Sequence, residues 1–264
     1  MKKYKIQIIA VVLFLLLLMP AKNLFYEDAV SVNIARRFEP PSLKYPLGTD
    51  ELGRNLLPRN IVALSNTARI IILSLLIILP ISLIIGSVSG FPEKKIFKYL
   101  ADNLFNLTWS IPGIPLFIAI LAYFPKNFLS ISIAITSVSW VTVARTIRFT
   151  IESEKNKEYI LALKSFGYPE KKIIFFALKN LEAPIIVSII STITDIFVAE
   201  STLSFLGLGI QPPEPSLGLM IYQSLNYISE APWIFISPLT ITIFIIIFLT
   251  RAINKIKKNH AYTL

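Results

Sequence analysis

The sequence has no cysteine and a single histidine, His260, near its C-terminal end. Disulfides and thiolate metal sites are therefore excluded. Only 16% of the 264 residues are charged, whereas soluble domains carry about a quarter. The sequence also has no Gly-x4-Gly-Lys-Ser/Thr segment, the usual loop that cradles nucleotide phosphates. These absences argue against a soluble domain and against a nucleotide-hydrolysing enzyme of that type.

Long apolar runs dominate what is present, since 54% of the residues are hydrophobic. The runs are apolar around the whole helical circumference, so in water their outer surfaces would have nothing to pack against. They cover Ile6–Met19, Ile70–Ile85, Leu116–Phe124, Ile185–Ile193 and Ile234–Leu249. The sequence therefore predicts an all-α integral membrane protein.

Six membrane spans are predicted, because a hydrocarbon core of roughly 30 Å needs about 20 helical residues. Their approximate bounds are 6–25, 69–91, 100–124, 128–148, 184–208 and 233–250. The third span contains Asn103, Asn106, Pro112, Gly113 and Pro115. We therefore expect a break or a re-entrant start in that span.

The net charge of +10 is distributed as in a membrane protein rather than a nucleic-acid-binding one. If the N-terminus is inside, the cytoplasmic segments hold eighteen lysines and arginines against eight outside. The positive-inside rule then predicts that both termini are cytoplasmic. The first run could be a signal peptide, but Met19-Pro20-Ala21 is a poor cleavage site, which favours a retained anchor.

The chain divides into segments at the ends of these runs. We predict a first anchor, an extracytoplasmic loop, a transmembrane core and a cytoplasmic tail. Their bounds are 1–25, 26–68, 69–250 and 251–264, and the core contains a cytoplasmic loop at 149–182. The two polar loops carry most of the functional information.

The cytoplasmic loop has the pattern of two short helices. Residues 158–166 are helical in pattern, with Tyr159, Ala162, Leu163 and Phe166 on one side. Gly167 would end that helix, and Pro169 can begin a second one over 170–179. The segment could lie flat on the membrane or form a compact knob in the cytoplasm.

Two further segments have distinctive turn chemistry. Residues 45–55 read Tyr-Pro-Leu-Gly-Thr-Asp-Glu-Leu-Gly-Arg-Asn, which favours a turn in which Thr49 or Asp50 caps the segment after it. This loop could pack on the outer helix ends or form part of a gate or a docking surface. Residues 200–218 contain Gly207, Gly209 and Pro212-Pro213, which should end the fifth span sharply.

Taken together, these segments resemble the permease subunits of ABC importers. Glu158, Tyr159, Ala162 and Gly167 fit the cytoplasmic signature of that family, although Leu161, Leu163 and Asn180 depart from it. Residues 45–55 resemble the outer-loop signature of the C-type permease, with Asn55 in place of the usual Asp. Residues 200–218 resemble the same family's signature after the fifth span, with Leu217 in place of a usual Trp.

The resemblance implies a fold, a set of partners and a role. The fold would be that of a type I ABC importer permease, from the C-type subunits of dipeptide, oligopeptide and nickel or opine-metallophore uptake systems. The partners would be a B-type permease, two ABC ATPase subunits that bind ATP and Mg, and an extracytoplasmic substrate-binding protein. The subunit itself would have no cofactor and no catalytic residue, and it would be a multi-pass protein of the bacterial cytoplasmic membrane.

The resemblance also assigns candidate residues. The ATPase-coupling residues would be Glu158, Tyr159, Ala162, Lys164 and Gly167. The outer-loop motif would comprise Gly48, Thr49, Asp50, Gly53 and Arg54. The implied cargo is a peptide, nickel or a metal chelate.

Two carboxylates lie inside the fifth predicted span. A carboxylate in the bilayer costs several kcal/mol unless it is paired or faces water. Asp195, near mid-span, could bond another helix or line the translocation path and attract a cation. Glu200 lies nearer the outer end, where a packing or gate role is expected. Near the inner end of span two, Gly86 and Gly90 favour close helix packing over a gating role.

Two other classes of protein fit the sequence less well. An intramembrane enzyme would need a paired constellation such as two membrane aspartates or a serine with a histidine. One tail histidine and one mid-span aspartate do not supply it. A membrane sensor or structural protein would not need the three motifs described above.

Overall fold

The computed structural model describes residues 5–90, 95–155, 157–169, 172–173, 175–176 and 182–261. Over these residues the regular secondary structure is helical, which confirms the all-α class. The α-helices are α1 (Lys5–Val30), α2 (Leu56–Gly90), α3 (Lys95–Ser110), α4 (Gly113–Tyr123), α5 (Phe128–Glu154), α6 (Glu158–Ser165), α7 (Glu182–Phe205), α8 (Leu217–Ser224) and α9 (Pro232–Ala261). Short 3-10 turns occur at Ile34–Arg36 and Leu225–Tyr227.

Within the described part of the chain, four helices are long and apolar enough to cross a membrane: α2, α5, α7 and α9. The pair α3 and α4 forms a fifth candidate if its two halves belong to one span. Helix α1 has 26 residues, a length of about 39 Å at 1.5 Å per residue, which exceeds the hydrocarbon thickness. Several membrane spans are thus present, and their number of six stays a prediction.

The helix over the predicted third span is broken, as its composition predicts. Helix α3 ends at Ser110, α4 begins at Gly113, and the two axes differ in direction by 82°. Pro112 is the N-cap of α4 and accepts a hydrogen bond from the Leu116 amide, so it starts a new helix instead of continuing the old one. The polar side of α3 turns toward α5, where the Arg145 guanidinium donates to Asn106 at 2.7 Å.

Helix α2 begins at Leu56, thirteen residues before the predicted start at 69. Its first turns contain Arg59, Asn60, Asn66 and Thr67, whose polarity lowers the local hydropathy. All four side chains are nevertheless buried against other parts of the protein. The irregular part of the outer loop is therefore shorter than the predicted 26–68, because α1 also continues to Val30.

The centre of the protein is the close pairing of α2 with α5. A Cβ added at Gly86 would lie 2.7 Å from the Ala144 carbonyl oxygen, and one at Gly90 would lie 3.0 Å from that of Arg148. The Ser82 hydroxyl, one turn earlier, donates to the Trp140 carbonyl at 2.8 Å. The two glycines therefore serve helix packing within the subunit.

The remaining long helices surround this pair. Helix α1 packs on α2, and α7 contacts α5 and α9. Phe14 of α1 and Phe248 of α9 stack with ring centroids 5.6 Å apart, which closes the bundle on one side. The C-terminal end of α1 and the N-terminal ends of α2 and α9 then converge on the loop that contains the first motif.

Candidate functional site

The outer motif forms a compact, buried loop between α1 and α2. Gly48 and Gly53 have φ angles of 77° and 69°, in the left-handed region that side chains disfavour. A Cβ at Gly53 would also lie 1.8 Å from the Asn33 carbonyl oxygen. The Thr49 hydroxyl donates to the Arg36 carbonyl and accepts from the Glu39 amide. The turn chemistry predicted for this segment is therefore present.

Asp50 is the centre of this loop and is only 2% exposed. Its carboxylate accepts from the Leu52 and Arg54 amides, both at 2.9 Å, and from Arg54 Nε at 2.7 Å. Arg59 Nε lies 3.2 Å from the same carboxylate. Glu51 pairs with the other edge of the Arg54 guanidinium at 2.9 Å. The negative charge of Asp50 thus compensates the positive charges of the buried Arg54 and Arg59 guanidinium groups.

The loop and the start of α2 form hydrogen bonds that connect the ends of α1, α2 and α9 at one end of the bundle. The Arg59 guanidinium donates to the Ala29 carbonyl of α1 at 3.0 Å. The Trp233 indole of α9 donates to the Thr49 carbonyl at 3.2 Å. Neither Thr49 nor Asp50 caps α2, because Asn55 provides the side-chain acceptor for the Leu57 amide. The segment is therefore an ordered loop packed on the outer helix ends.

The second motif links α7 to α2. Glu200 is fully buried, and its carboxyl oxygens accept from the Thr67 hydroxyl at 2.9 Å and from the Ser204 hydroxyl at 2.7 Å. Helix α7 ends at Phe205, just before Gly207 with its φ of 73°. Beyond it, Glu214 pairs with Lys22 of α1. Glu200 therefore bonds α2 in this structure, and its packing or gate role stays a prediction.

Asp195 differs from Glu200 although both lie on α7. It is exposed on the surface of the chain. The described residues include no hydrogen-bond or ion-pair partner for its carboxylate. The interpretation in which Asp195 bonds another helix of this chain therefore finds no support in the part of the chain that the structure describes.

The cytoplasmic motif forms helix α6 and its cap. Gly167 has a φ of 72°, and its amide donates to the Lys164 carbonyl at 2.9 Å. The Tyr168 amide donates to the Leu163 carbonyl at 3.1 Å, which completes a glycine-capped helix end. The predicted end of this helix is thus present. The second helix, predicted over 170–179, lies mostly outside the described residues.

The side of helix α6 that carries Tyr159, Ala162, Leu163 and Phe166 is only partly buried, since Tyr159 and Leu163 pack against the core. Ile160 is fully buried and Tyr159 is partly buried against the core, whereas Ala162 and Phe166 are exposed. The first turn of this short helix is linked to α5 by the hydrogen bond from the Tyr159 hydroxyl to Glu154, and Leu163 of the second turn also packs against the core. Leu161, Phe166 and Tyr168 leave a mainly apolar exposed surface, with relative exposures of 50%, 79% and 43%.

The other two cytoplasmic motif residues lie at opposite ends of α6. Glu158 is in the first turn, where its charge suits the positive end of the helix dipole, and Lys164 is in the last turn, where a cation is favoured. The structure thus brings all five predicted coupling residues onto one helix and its cap. Among the described residues, no group of three or more His, Cys, Asp or Glu side chains is arranged to hold a metal ion.

Sequence reasoning missed buried charged residues near these motifs, and Arg59 and Glu154 are two of them. Arg59 is 3% exposed, and Glu154 is 1% exposed at the cytoplasmic end of α5. Both lie at the ends of apolar runs, where a charge is ordinarily solvated. Only the spacing of Arg59 from Asp50 and Arg54 could have indicated a buried cluster.

A family model matches most of the chain. The model for the inner membrane component of binding-protein-dependent transport systems covers residues 78–259. This range begins within α2 and includes the cytoplasmic and fifth-span motifs. The outer-loop motif lies before it.

Curated proteins with similar sequences carry the same type of name. The chain is 30% identical over 230 residues to the oligopeptide transport system permease protein OppC of Bacillus subtilis (strain 168), covering 86% of this chain and 74% of that protein. It is 33% identical to the dipeptide transport system permease protein DppC of the same strain, covering 74% and 61%. It is 32% identical to the di/tripeptide transport system permease protein DppC of Pseudomonas aeruginosa (strain UCBPP-PA14), covering 72% and 63%.

Proposed function

This chain belongs to the family of inner membrane components of binding-protein-dependent transport systems, and we propose that it is the C-type permease of a peptide importer. Membership of this family makes it a multi-pass protein of the bacterial inner membrane and a transport component rather than an enzyme. The proposal extends this to a heterodimer with a B-type permease, two ABC ATPase subunits and an extracytoplasmic binding protein. ATP and Mg would be bound by the ATPases.

The single observation that carries the coupling proposal is the form of α6. Its first turn is anchored through the fully buried Ile160, while Leu161, Phe166 and Tyr168 expose a mainly apolar surface. A soluble surface rarely leaves such residues clustered without a partner. We propose that this surface enters a groove on the ATPase and that Glu158, Ala162, Lys164 and the Gly167 cap present it.

The proposed cargo is a peptide. The support is the names of the relatives, which are oligopeptide, dipeptide and di/tripeptide permeases. Nickel or a metal chelate is the alternative that the resemblance of the motifs leaves open. Mass spectrometry of the ligand that copurifies with the co-encoded binding protein separates the two, since a peptide or a metal complex would be identified directly.

Asp195 is the residue that we propose for the translocation path. A carboxylate at this depth must be paired or face water, and no partner is present among the described residues. A water-filled path would meet that requirement, and the charge would attract the ammonium group of a peptide. Asp195→Asn should spare ATPase binding and reduce uptake of peptides with a free amino terminus more than uptake of acetylated ones. Equal effects on both peptides would contradict this role.

The coupling proposal is tested with the assembled importer. We expect Gly167→Val to insert in the membrane normally, because the residue lies outside the spans. A β-branched side chain at a φ of 72° is strained, so the cap of α6 should distort and ATPase copurification should fall. Gly207→Val is the matched control, since Gly207 has a φ of 73° and, like Gly167, no neighbour within 4 Å of an added Cβ.

The control lies at the opposite end of the bundle and should leave ATPase copurification unchanged. Ala162→Glu adds a second test, because it places a charge on the exposed side of α6 without backbone strain. Wild-type ATPase binding and uptake in both Gly167→Val and Ala162→Glu would refute the coupling role of this segment. Peptide uptake by the wild-type chain without any ATPase would refute the proposed function as a whole.

A further inference from the structure

Glu154, the last residue of α5, is a buried carboxylate that none of the motifs includes. Its side chain is only 2% exposed. The Tyr159 hydroxyl of α6 donates a hydrogen bond to one carboxylate oxygen. The Lys157 ammonium forms an ion pair with the other oxygen, with the Lys157 side chain half exposed. Both carboxylate oxygens are therefore used at the junction of the two helices.

The backbone makes a second connection at the same place. The Lys157 amide donates to the Glu154 carbonyl at 3.0 Å, so the chain turns sharply after α5. The Ile160 amide then donates to the Lys157 carbonyl at 2.9 Å as α6 begins. Ile160 is fully buried and lies one residue after Tyr159. The side-chain contacts of Glu154 and the backbone hydrogen bonds thus connect the first turn of α6 to the end of α5, and Ile160 of that turn is buried in the core.

The buried negative charge of Glu154 opposes a change in the angle between α5 and α6. A carboxylate removed from water is unfavourable unless hydrogen-bond donors and a cation compensate it. Here one donor and the cation come from the segment that leads into and forms α6. If α6 swung away while Glu154 stayed buried, the carboxylate would lose its compensation. A carboxylate in this position therefore favours rigid movement of α6 with α5 over independent movement.

Helix α5 contacts two other long helices, so a movement of α6 together with α5 would reach them. It packs along α2 at the glycine contacts and also contacts α7, the helix that carries Asp195 and Glu200. A displacement of α5 as a rigid rod must therefore shift the two helices next to it.

We propose that Glu154 is a positioning residue that locks α6 to α5, so that movement of the ATPases is transmitted to the transmembrane helices. This inference rests on the proposed coupling function of α6. It predicts that Glu154 affects how much transport each ATP hydrolysis yields, and not whether the ATPases bind. A residue that only stabilised the fold would lower the amount of importer without changing that ratio.

The test compares Glu154→Leu, Glu154→Gln and Tyr159→Phe in the complete importer reconstituted in proteoliposomes. Leucine removes both acceptors, glutamine keeps one acceptor for the tyrosine hydroxyl, and phenylalanine removes the tyrosine hydroxyl. Because a hydrogen bond to a charged group contributes about a factor of ten or more, we expect peptide uptake per ATP hydrolysed to fall about tenfold in Glu154→Leu. The two milder variants should fall between it and the wild type, and both Glu154 variants should copurify with the ATPases. Glu230→Gln, an exposed carboxylate on an outer turn, is the control for charge removal.

A second measurement probes the junction without the ATPases. The natural chain has no cysteine, so spin labels can be attached at Phe149→Cys and Ser165→Cys, both exposed positions on α5 and α6. The full-length chain should give a narrow distance distribution that broadens in Glu154→Leu and Tyr159→Phe. If Glu154→Leu fails to assemble, the ratio in Glu154→Gln and Tyr159→Phe decides the question together with this distribution.

The outcomes separate this inference from the proposed function. Unchanged uptake per ATP and an unchanged distance distribution in the variants would overturn the role of Glu154, even though the wild type imports normally. A wild type that neither binds ATPases nor imports would overturn the coupling function. In that case the distance distribution still shows whether Glu154 fixes α6 on α5.

Discussion

The buried charge of Asp50 gives the sharpest prediction about the outer loop. Asp50→Asn keeps the shape of the side chain but removes the charge that balances Arg54 and Arg59. The new NH2 group is a hydrogen-bond donor, and it would face guanidinium donors from which it cannot accept hydrogen bonds. Glu51→Gln makes the same chemical change one residue away, where the carboxylate is 17% exposed and has one contact at 2.9 Å.

The expected magnitudes differ because the burial differs. Removing one partner of a buried ion pair costs roughly 3–5 kcal/mol, since the other charge is left uncompensated. Loss of an ion pair at the edge of such a cluster costs at most about 1 kcal/mol. Each 1.4 kcal/mol corresponds to a tenfold change in an equilibrium, so Asp50→Asn should raise the open population of the loop by about two to three and a half decades. Glu51→Gln should raise it less than about tenfold.

The absence of cysteine allows the opening to be measured directly. Ala29 is fully buried and its carbonyl accepts from Arg59, so Ala29→Cys places a thiol beneath the loop. Its rate of labelling by a membrane-impermeant maleimide in cells follows the open population when the loop closes quickly. Leu43→Cys, at a fully exposed position of the same loop, is the positive control and should label at once. That control also tests the predicted outer location of the loop.

The result that would refute this reasoning is a labelling rate of Ala29→Cys that Asp50→Asn leaves unchanged. Equal acceleration by Asp50→Asn and Glu51→Gln would also refute it, because burial would then not decide the cost. Failure of Leu43→Cys to label would instead show that the loop is not on the outer side. The three outcomes therefore address the ion-pair cluster, the effect of burial and the topology separately.

Two further predictions concern contacts between the long helices, and thermal unfolding of the solubilised chain measures both. Thr67→Val removes a donor to the buried Glu200 and should cost about 1–3 kcal/mol, whereas Thr202→Val, whose hydroxyl bonds only its own helix, should cost less. Equal costs would argue against the α2–α7 link. Gly86→Ala brings a Cβ within 2.7 Å of a backbone oxygen of α5 and should cost about 1–3 kcal/mol. Gly113→Ala meets only a ring edge at 3.1 Å and should be tolerated, so equal destabilisation would contradict the packing interpretation.

The helices can be predicted where hydrophobicity and secondary structure agree. The starts of α5 and α9 fall within one residue of the predicted 128 and 233, because apolar residues begin where those helices begin. The predicted start of α2 is thirteen residues late, since Arg59 and Asn60 resemble loop residues in composition. Their burial depends on Asp50 and on α9, and a local window of sequence contains no information about such distant partners.

The conformations of single residues are easier to predict than their partners. Gly167 is expected to end a helix, and it does so with a positive φ. Glycine has no Cβ, so it adopts the left-handed conformation of a helix C-terminus more readily than other residues. The pattern that places Tyr159, Ala162, Leu163 and Phe166 on one side of α6 does not show which of them is buried, and in the structure Tyr159 and Leu163 pack against the core. The burial of Ile160 and the exposure of Phe166 follow from the angle at which α6 leaves α5. That angle is fixed by the contacts of Glu154, which sequence pattern does not reveal.

Four of the carboxylates at these sites differ in burial and in their hydrogen-bond partners. Asp50, Glu154 and Glu200 are buried, and each binds a donor from another element or from the end of its own loop. Each therefore fixes a junction: the outer loop, the base of α6, and the contact of α7 with α2. Asp195 has no such partner among the described residues and is exposed on a helix long and apolar enough to cross the membrane. A carboxylate that faces lipid is unfavourable. The negative charge of Asp195 must therefore be stabilised by a group outside the described residues, such as water, a second subunit or the cargo. The hydrogen bonds of Asp50, Glu154 and Glu200 therefore stabilise the fold, whereas the carboxylate of Asp195 has no partner among the described residues.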